Sequence, residues 1–254
     1  MALAAVAMLA VAPAGCGSGG SSSSGRPDLV VSAAASLKDA FDQYAQKFRQ
    51  ANVRASFAGS DELAAQIEQG VKPDVFASAN TKLPEQLFQK GLVEKPVVFA
   101  GNRLVIAVPA KAGKVASLAD LEKPGVTIAM GSPTVPVGAY TRQVLSGLPK
   151  AQQAKLLGNV RSNEPDVAGV VGKLTQGAVD AGFVYITDVD ATDGKLKAIE
   201  LPKSLQPQVA YGVAVVKGAK HPKQAQVFIE GLLHGAGRQA LQAAGFEPAP
   251  GAGA

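Results

Sequence analysis

The sequence predicts an α/β fold built as two lobes. Short apolar runs alternate with helical patterns from Leu29 onward, which is typical of alternating strands and helices. The first helical pattern places Leu37, Phe41 and Tyr44 on one face at three- and four-residue spacing. A chain of 254 residues with 47% hydrophobic residues is long enough to bury one large core or two smaller ones.

The first part of the chain is predicted to contain three strand and helix units. A β-type run ends in three alanines, and Ser36 with Asp39 matches a capping box that would begin the first helix. The further elements predicted are a strand at 53–57, a helix around 63–67 that Gly70 stops, a strand at 73–78, and a helix at 83–90 that Gly91 ends.

The second part repeats this alternation after a long β-prone run at 97–108. Pro136 stands near the first position of a helix that reaches Leu145, where its missing N–H costs nothing. The other elements predicted are a helix at 117–120, strands at 126–130, around 160, at 181–186 and at 211–216, and helices at 167–174 and 222–244. We expect residues 28–104 plus 212–254 to form the first lobe and 105–211 the second, joined by crossings near 98–108 and 206–216.

The N-terminus is predicted to be a secretion signal. Residues 1–15 hold an apolar stretch too short to span a bilayer and are expected to form a lipoprotein signal peptide. Cys16, the only cysteine, would carry the lipid, and residues 16–27 would form a Gly/Ser tether. The chain would then be extracytoplasmic and lipid-anchored to the membrane, or periplasmic. An ordinary cleaved signal with an unmodified cysteine is the alternative.

The composition argues against binding of nucleic acid. Trp is absent and aromatic residues make up 5% of the chain, which leaves few platforms on which bases could stack. The net charge of +5 comes from lysines and arginines scattered along the chain without a dense basic run. We expect no nucleic acid partner, although a mild positive field attracts small anions.

Serines at two helix starts indicate a site for a small anion. Ser36 and Ser60 each follow small residues and precede an amphipathic helix, where first-turn N–H groups lack acceptors. In the second lobe, the loop at 131–138 and Asp166, a good N-cap before Val167, offer two more such starts. Taken alone, each serine is better explained as an ordinary N-cap than as a ligand.

The ordered set of motifs resembles the periplasmic molybdate-binding proteins, the capture components of ABC importers for molybdate and tungstate. The matching residues are AAASL at 33–37, FAGSDELAAQIEQG at 57–70, PDVFASA at 73–79, NRLVIAVP at 102–109, VPVGAY at 135–140 and GFVY at 182–185. The resemblance implies the type II periplasmic-binding-protein fold, in which two α/β lobes joined by crossing strands close on a tetrahedral oxyanion.

The resemblance also implies the residues and partners of the site. Ser36 and Ser60 would donate hydroxyl and backbone N–H groups, Val137 and Val167 backbone N–H groups, and Tyr185 its phenol. The metal would be bound only as the oxyanion, without cation ligands and without a cofactor. The implied partners are molybdate or tungstate, an ABC importer permease and its ATPase, and the membrane through the lipid anchor, with the chain itself a monomer.

One position departs from the family pattern. Members often carry three serines where this chain has Gly59, Ser60 and Asp61. We expect Asp61 to stand in the first turn of its helix and face solvent, where its charge offsets the helix dipole.

Two other functions are weighed against molybdate capture. Sulfate or another oxyanion is the alternative within the binding class, because any fully deprotonated dianion accepts every bond from a donor-only cavity. An enzyme on the same fold is disfavoured, since His221 and His234 lie far in sequence from the serine motifs. The sequence also contains no nucleophile elbow, HExxH motif or P-loop.

Overall fold

A computed structural model describes residues 25–111 and 113–251 of the chain. The predicted signal peptide, the lipid-carrying Cys16 and most of the predicted tether lie outside these residues. Within them, no helix is long and apolar enough to cross a membrane.

Ten strands in the described residues form two separate five-stranded sheets. The strands are β1 Asp28–Ala34, β2 Asn52–Ala58, β3 Val75–Ser78, β4 Val97–Asn102, β5 Leu104–Pro109, β6 Ile128–Gly131, β7 Val160–Glu164, β8 Ala181–Tyr185, β9 Leu196–Glu200 and β10 Val209–Val215. The first sheet has the order β2-β1-β3-β10-β4 and the second the order β7-β6-β8-β5-β9. Each sheet is the centre of one lobe, which agrees with the predicted α/β class.

Helices cover the faces of both sheets. They are α1 Lys38–Lys47, α2 Ser60–Glu68, α3 Lys82–Gln89, α4 Pro136–Ser146, α5 Lys150–Gly158, α6 Val167–Thr175, α7 Ile186–Asp190, α8 Pro222–His234 and α9 Ala236–Ala243. The central strands β3, β6 and β8 are buried at every residue, as strands covered by helices on both faces require. The sequence patterns did not predict α5, α7 or β9.

The chain passes between the two sheets twice. The long run at 97–108 was predicted as one β-prone stretch, but it is two strands in different sheets, separated at Arg103. The return crossing covers residues 201–208, between β9 and β10. By sheet membership, Leu104 therefore belongs with the second sheet, and Val209 to Tyr211 belong with the first.

The parallel strands determine where the loops converge. In the first sheet β1 runs parallel to β2 and β3, and in the second β6 runs parallel to β7 and β8. Since parallel strands end at the same edge of a sheet, the segments that follow them lie side by side. In open α/β sheets this edge is the usual place for a ligand.

Candidate functional site

Segments that follow strands of both lobes surround one small cavity. Its volume is about 20 Å³, only slightly more than the roughly 10–15 Å³ that one water needs, so the cavity can suit only a small ligand. The lining residues are Ala34, Ala35, Ser36, Ala58, Gly59, Ser60, Ala79, Val135, Pro136, Val137, Asp166, Val167 and Tyr185. The five residues predicted as ligands, Ser36, Ser60, Val137, Val167 and Tyr185, all lie on this cavity.

Ser36 occupies the cavity wall but does not cap a helix. It lies in a 3-10 turn, Ala35–Leu37, and α1 begins only at Lys38 without a side-chain cap. The predicted capping box with Asp39 is therefore wrong. The Ser36 hydroxyl pairs instead with the phenol of Tyr211, with 2.9 Å between the two oxygens.

Ser60 is the first residue of α2 and is almost fully buried. Its Oγ accepts a hydrogen bond of 3.1 Å from the backbone N–H of Ala79, which follows β3. A backbone N–H can only donate, so the hydrogen of the Ser60 hydroxyl is left for another acceptor. The adjacent space is the cavity.

The second lobe contributes two helix starts, both of them predicted from sequence. Pro136 begins α4, as its missing N–H favours, and the Val137 N–H follows in the first turn. Asp166 caps α6, with its Oδ1 accepting from the Gly169 N–H at 2.9 Å, so that Val167 is the first helical residue. The N–H groups of Val137 and Val167 have no acceptor within their own helices.

The loop before α4 is shaped by close packing. A Cβ atom on Gly138 would lie 1.9 Å from the carbonyl oxygen of Ser132, so only glycine fits this position. The Arg142 guanidinium donates to the carbonyl oxygens of Gly131 and Gly138 at 3.0 and 3.2 Å. These contacts fix the backbone that presents Val137 to the cavity.

Tyr185 provides a buried hydroxyl without a partner. Among the described residues, its Oη lies within hydrogen-bonding distance of no other group, although the side chain is only 1% exposed. Burial raises the pKa of this phenol well above its ordinary value, so it keeps its proton. A buried donor without an acceptor is costly, which indicates that a ligand oxygen is the missing acceptor.

The wall of the cavity carries no positive charge among its described residues. Asp166 is the one charged residue there, and one of its carboxylate oxygens is engaged by its own helix. Asp61 lies in the first turn of α2 as predicted and does not line the cavity. The expectation that it faces solvent is wrong in part, because its Oδ1 is buried without a hydrogen-bond partner in the described structure.

The two lobes touch beside the cavity at Gly59. A Cβ atom on Gly59 would lie only 2.4 Å from the carbonyl oxygen of Pro165 in the opposite lobe. The backbone of Gly59 is in a conformation open to any residue, with φ of −59°. Glycine is therefore needed here for the close approach of the lobes rather than for its backbone freedom.

A second carboxyl lies next to Tyr185. The Asp188 Oδ2 accepts a hydrogen bond of 2.9 Å from the backbone N–H of Tyr185, at the start of α7. Desolvation raises the pKa of this carboxyl to about 7, against the lowering effect of that bond, with smaller contributions from the charges of Asp39 and Asp166. Asp188 is therefore partly neutral near pH 7.

Sequence patterns did not identify several residues around the cavity. Tyr211 and Asn102 were noted only as parts of β runs, and Ala79 only within a strand motif. Their roles depend on contacts with residues far away in the chain, such as Ser36, 175 positions from Tyr211. Gly59 was noted only as a departure from the family pattern, although a glycine before a helix hinted at a close contact.

Comparison with known proteins agrees with this architecture. The profile of the family described as bacterial extracellular solute-binding protein matches residues 29–247. Molybdate-binding protein ModA of Mycobacterium tuberculosis is 35% identical over 252 residues, which cover 94% of each chain. A Bacillus subtilis relative, YvgL, provisionally named an ABC transporter substrate-binding lipoprotein, is 31% identical over 250 residues, covering 92% of each.

A solved structure extends the comparison to the fold. The periplasmic molybdate-binding protein of Azotobacter vinelandii superposes with a TM-score of 0.76 at 24% identity, covering 86% of this chain and 98% of that one. This similarity confirms the predicted two-lobed fold.

The raised pKa of Asp188 predicts a pH-dependent stability. The folded chain holds this proton more tightly than the unfolded chain, so the contribution is fully present below the ordinary carboxyl pKa of 3.8 and is lost as the pH rises to about 7. The stability difference between wild type and Asp188→Asn should therefore change across this range by up to about 1.4 kcal/mol per pH unit. Urea unfolding of both proteins from pH 4 to pH 8 measures it, and a constant difference would contradict the assignment.

Proposed function

The chain belongs to the bacterial extracellular solute-binding protein family, and we propose that it captures molybdate, and tungstate with it, between its lobes for an ABC importer. The observation that carries the proposal is the donor set around one small cavity: two serine hydroxyls, an unpartnered phenol and the starts of helices from both lobes. The 35% identity to relatives named molybdate-binding proteins supports the choice of ligand.

The proposed donors suit a dianion held without a counter-charge. Ser36, Ser60 and Tyr185 would donate O–H groups, and Val137 and Val167 would donate backbone N–H groups. Hydrogen bonds to a charged partner contribute about 1.5–3 kcal/mol each. Helix N-termini add favourable dipoles from α2, α4 and α6. Binding by neutral groups also lets the anion leave without breaking an ion pair.

The same donors select by protonation state. Molybdate, tungstate and sulfate are fully deprotonated at neutral pH and accept bonds at every oxygen. Hydrogen phosphate would bring an O–H that finds no acceptor among these five donors, at a cost of about 1–3 kcal/mol. Sulfate passes this test and differs from molybdate in size, so it remains the alternative ligand.

Binding is coupled to closure of the lobes. Ser36 and Ser60 lie in the first lobe, and Val137, Val167 and Tyr185 in the second, so the anion would bridge them. A ligand shifts an equilibrium only by its differential contacts, and these contacts exist together only in the closed form. The closed form would then be the species that the permease and its ATPase recognise, with the chain acting as a monomer.

Catalysis is not part of the proposal. His221 and His234, at the two ends of α8, do not line the cavity. The Ser36 hydroxyl pairs with a phenol and the Ser60 hydroxyl accepts from a backbone N–H, so the protein partner of neither is a general base. In the described residues no cluster of histidine, cysteine and carboxylate side chains suits a metal cation, so metal would enter only as its oxyanion.

The location of the chain is proposed from its N-terminus. A signal peptide at 1–15 followed by Cys16 would place the folded lobes outside the cytoplasm on a lipid anchor. The name of the Bacillus relative, a substrate-binding lipoprotein, supports this proposal. The Gly/Ser-rich tether would let the lobes reach a permease in the same membrane.

Calorimetry with a series of anions tests the ligand. We expect the purified chain without residues 1–24 to bind molybdate and tungstate with stoichiometry near one, sulfate more weakly and phosphate not measurably. Binding of sulfate without molybdate would move the assignment to the alternative. Turnover of an ester or phosphate, abolished by Ser36→Ala, would instead revive the enzyme hypothesis.

Gly59→Ala tests the coupling of binding to closure. The added methyl would meet the Pro165 carbonyl oxygen, so the lobes should stop short of the closed form and molybdate affinity should fall at least about tenfold. The matched control is Gly158→Ala, because a Cβ there meets nothing within 4 Å. Calorimetry measures affinity, and small-angle X-ray scattering measures the compaction that molybdate induces. Full affinity with full compaction in Gly59→Ala would contradict the closure argument.

Cys16→Ser tests the anchor. In a bacterial host the wild-type chain should partition into the detergent phase and carry a lipid mass on Cys16, whereas Cys16→Ser should be recovered in the aqueous phase. Ser22→Ala, a change within the tether, is the control and should behave as wild type. Unmodified Cys16 in the mature wild-type chain, shown by mass spectrometry, would support the ordinary signal peptide instead.

A further inference from the structure

Behind the Ser36 hydroxyl lies a chain of buried hydrogen bonds that leads away from the cavity. Tyr211, at 0% exposure, pairs with Ser36 at 2.9 Å, and Asn102, at 3% exposure, lies 3.4 Å behind the Tyr211 oxygen. We propose that Tyr211, oriented by Asn102, is a specificity-determining positioning residue that turns the Ser36 hydrogen into the cavity, so that Ser36 donates to the anion and the site rejects protonated oxyanions. The inference rests on the proposed function of the cavity as an oxyanion site.

The orientation of the Asn102 amide is fixed by its neighbours. Its Oδ1 accepts from the backbone N–H of Arg103 at 2.8 Å, at the crossing between the lobes. Its Nδ2 therefore faces the other way, where it donates to Thr187 Oγ1 at 2.9 Å and to Tyr211 Oη at 3.4 Å. If the amide were reversed, its NH₂ group would face the Arg103 N–H, and the bond to that N–H would be lost.

The direction of the hydrogen bond between Tyr211 and Ser36 follows from the one hydrogen that a phenol hydroxyl has to donate. The Tyr211 oxygen receives a hydrogen from Asn102, which has no lone pair to offer on its Nδ2. Among the described residues, Ser36 Oγ is the one acceptor within reach of the Tyr211 hydroxyl. The Tyr211 hydrogen therefore points at Ser36. Burial also raises the pKa of Tyr211 well above its ordinary value, so this hydrogen is retained.

The Ser36 hydroxyl is then committed as an acceptor toward the protein. Its own hydrogen has only the cavity to point into, as is also the case for Ser60, which accepts from the Ala79 N–H. The two serines differ in how firmly this direction is set. A backbone N–H can never accept, whereas a hydroxyl pair can reverse unless something behind it fixes the direction. Asn102 supplies that restraint for Ser36.

This direction matters for what the cavity admits. An anion that carries a proton, such as hydrogen arsenate or hydrogen phosphate, needs one of the five proposed donors to accept instead. Ser36 could accept only by turning its own hydrogen away from the cavity, and the hydrogen of Tyr211 occupies the side of Ser36 Oγ to which it would turn.

The experiment compares two ligands across matched variants. In Tyr211→Phe the ring remains but the hydroxyl is lost, so the Ser36 hydrogen can turn away from the cavity and let Ser36 accept from a protonated anion. We expect the ratio of the hydrogen arsenate and molybdate dissociation constants at pH 7 to fall about tenfold, equivalent to about 1.4 kcal/mol. Tyr44→Phe is the control, because it also removes one buried hydroxyl, which donates to the Phe228 carbonyl at 3.1 Å. Its ratio should equal that of wild type.

A double-mutant cycle separates this role from a purely structural one. Ser36→Ala should weaken molybdate binding, and adding Tyr211→Phe to it should leave the ratio unchanged, because Tyr211 acts through Ser36. If wild type binds molybdate tightly but the ratio of the two dissociation constants is the same in Tyr211→Phe and Tyr44→Phe, the inference is overturned and the proposed function is not. A fall in the ratio that persists in the Ser36→Ala background would also overturn it. A wild-type chain that binds neither anion would overturn the proposed function and, with it, the inference.

Discussion

The direction of hydrogen bonds is the constraint on which the proposed site depends. A small dianion removed from water must have nearly every oxygen lone pair satisfied, and the described cavity wall offers no cation to compensate. The protein meets this need by forming hydrogen bonds to the serine hydroxyls on the side away from the cavity. Ser60 accepts from the Ala79 N–H and Ser36 pairs with Tyr211, while the Tyr185 hydroxyl, among aromatic rings, has no hydrogen-bond partner in the described residues. Each hydroxyl is thereby left to donate forward.

Closure follows from the same requirement, because no single lobe carries enough donors. The helix starts at Ser60 and at Val137 belong to opposite sheets, and they meet only when the lobes approach closely. Gly59 shows how close that approach is, since even one methyl group would overlap the Pro165 carbonyl oxygen. Selectivity for a small ion and the proposed closure of the lobes would therefore be consequences of one geometry. A larger ligand would hold the lobes apart and lose the donors of one side.

Local rules predicted the parts of the site that depend on nearby residues. Pro136 at the start of α4 and Asp166 as the cap of α6 follow from preferences for fixed φ and for a side-chain acceptor. The same rules failed at Ser36, because its hydroxyl is engaged by Tyr211, which is distant in sequence. They also could not divide the run at 97–108, since both halves favour β structure and only tertiary pairing separates them at Arg103.

A site of this construction places few demands on the side chains of its backbone donors. Val137 and Val167 would act through their backbone N–H groups, so many side chains could replace them without changing the donors. The stronger sequence constraint falls on positions that are not among the proposed donors. Gly59 and Gly138 must remain glycine because a side chain would overlap the carbonyl oxygens they approach. Asn102 is constrained because its amide accepts from the Arg103 N–H and donates to Thr187. Specificity would thus reside as much in the residues that fix backbone and proton positions as in the residues that contact the anion.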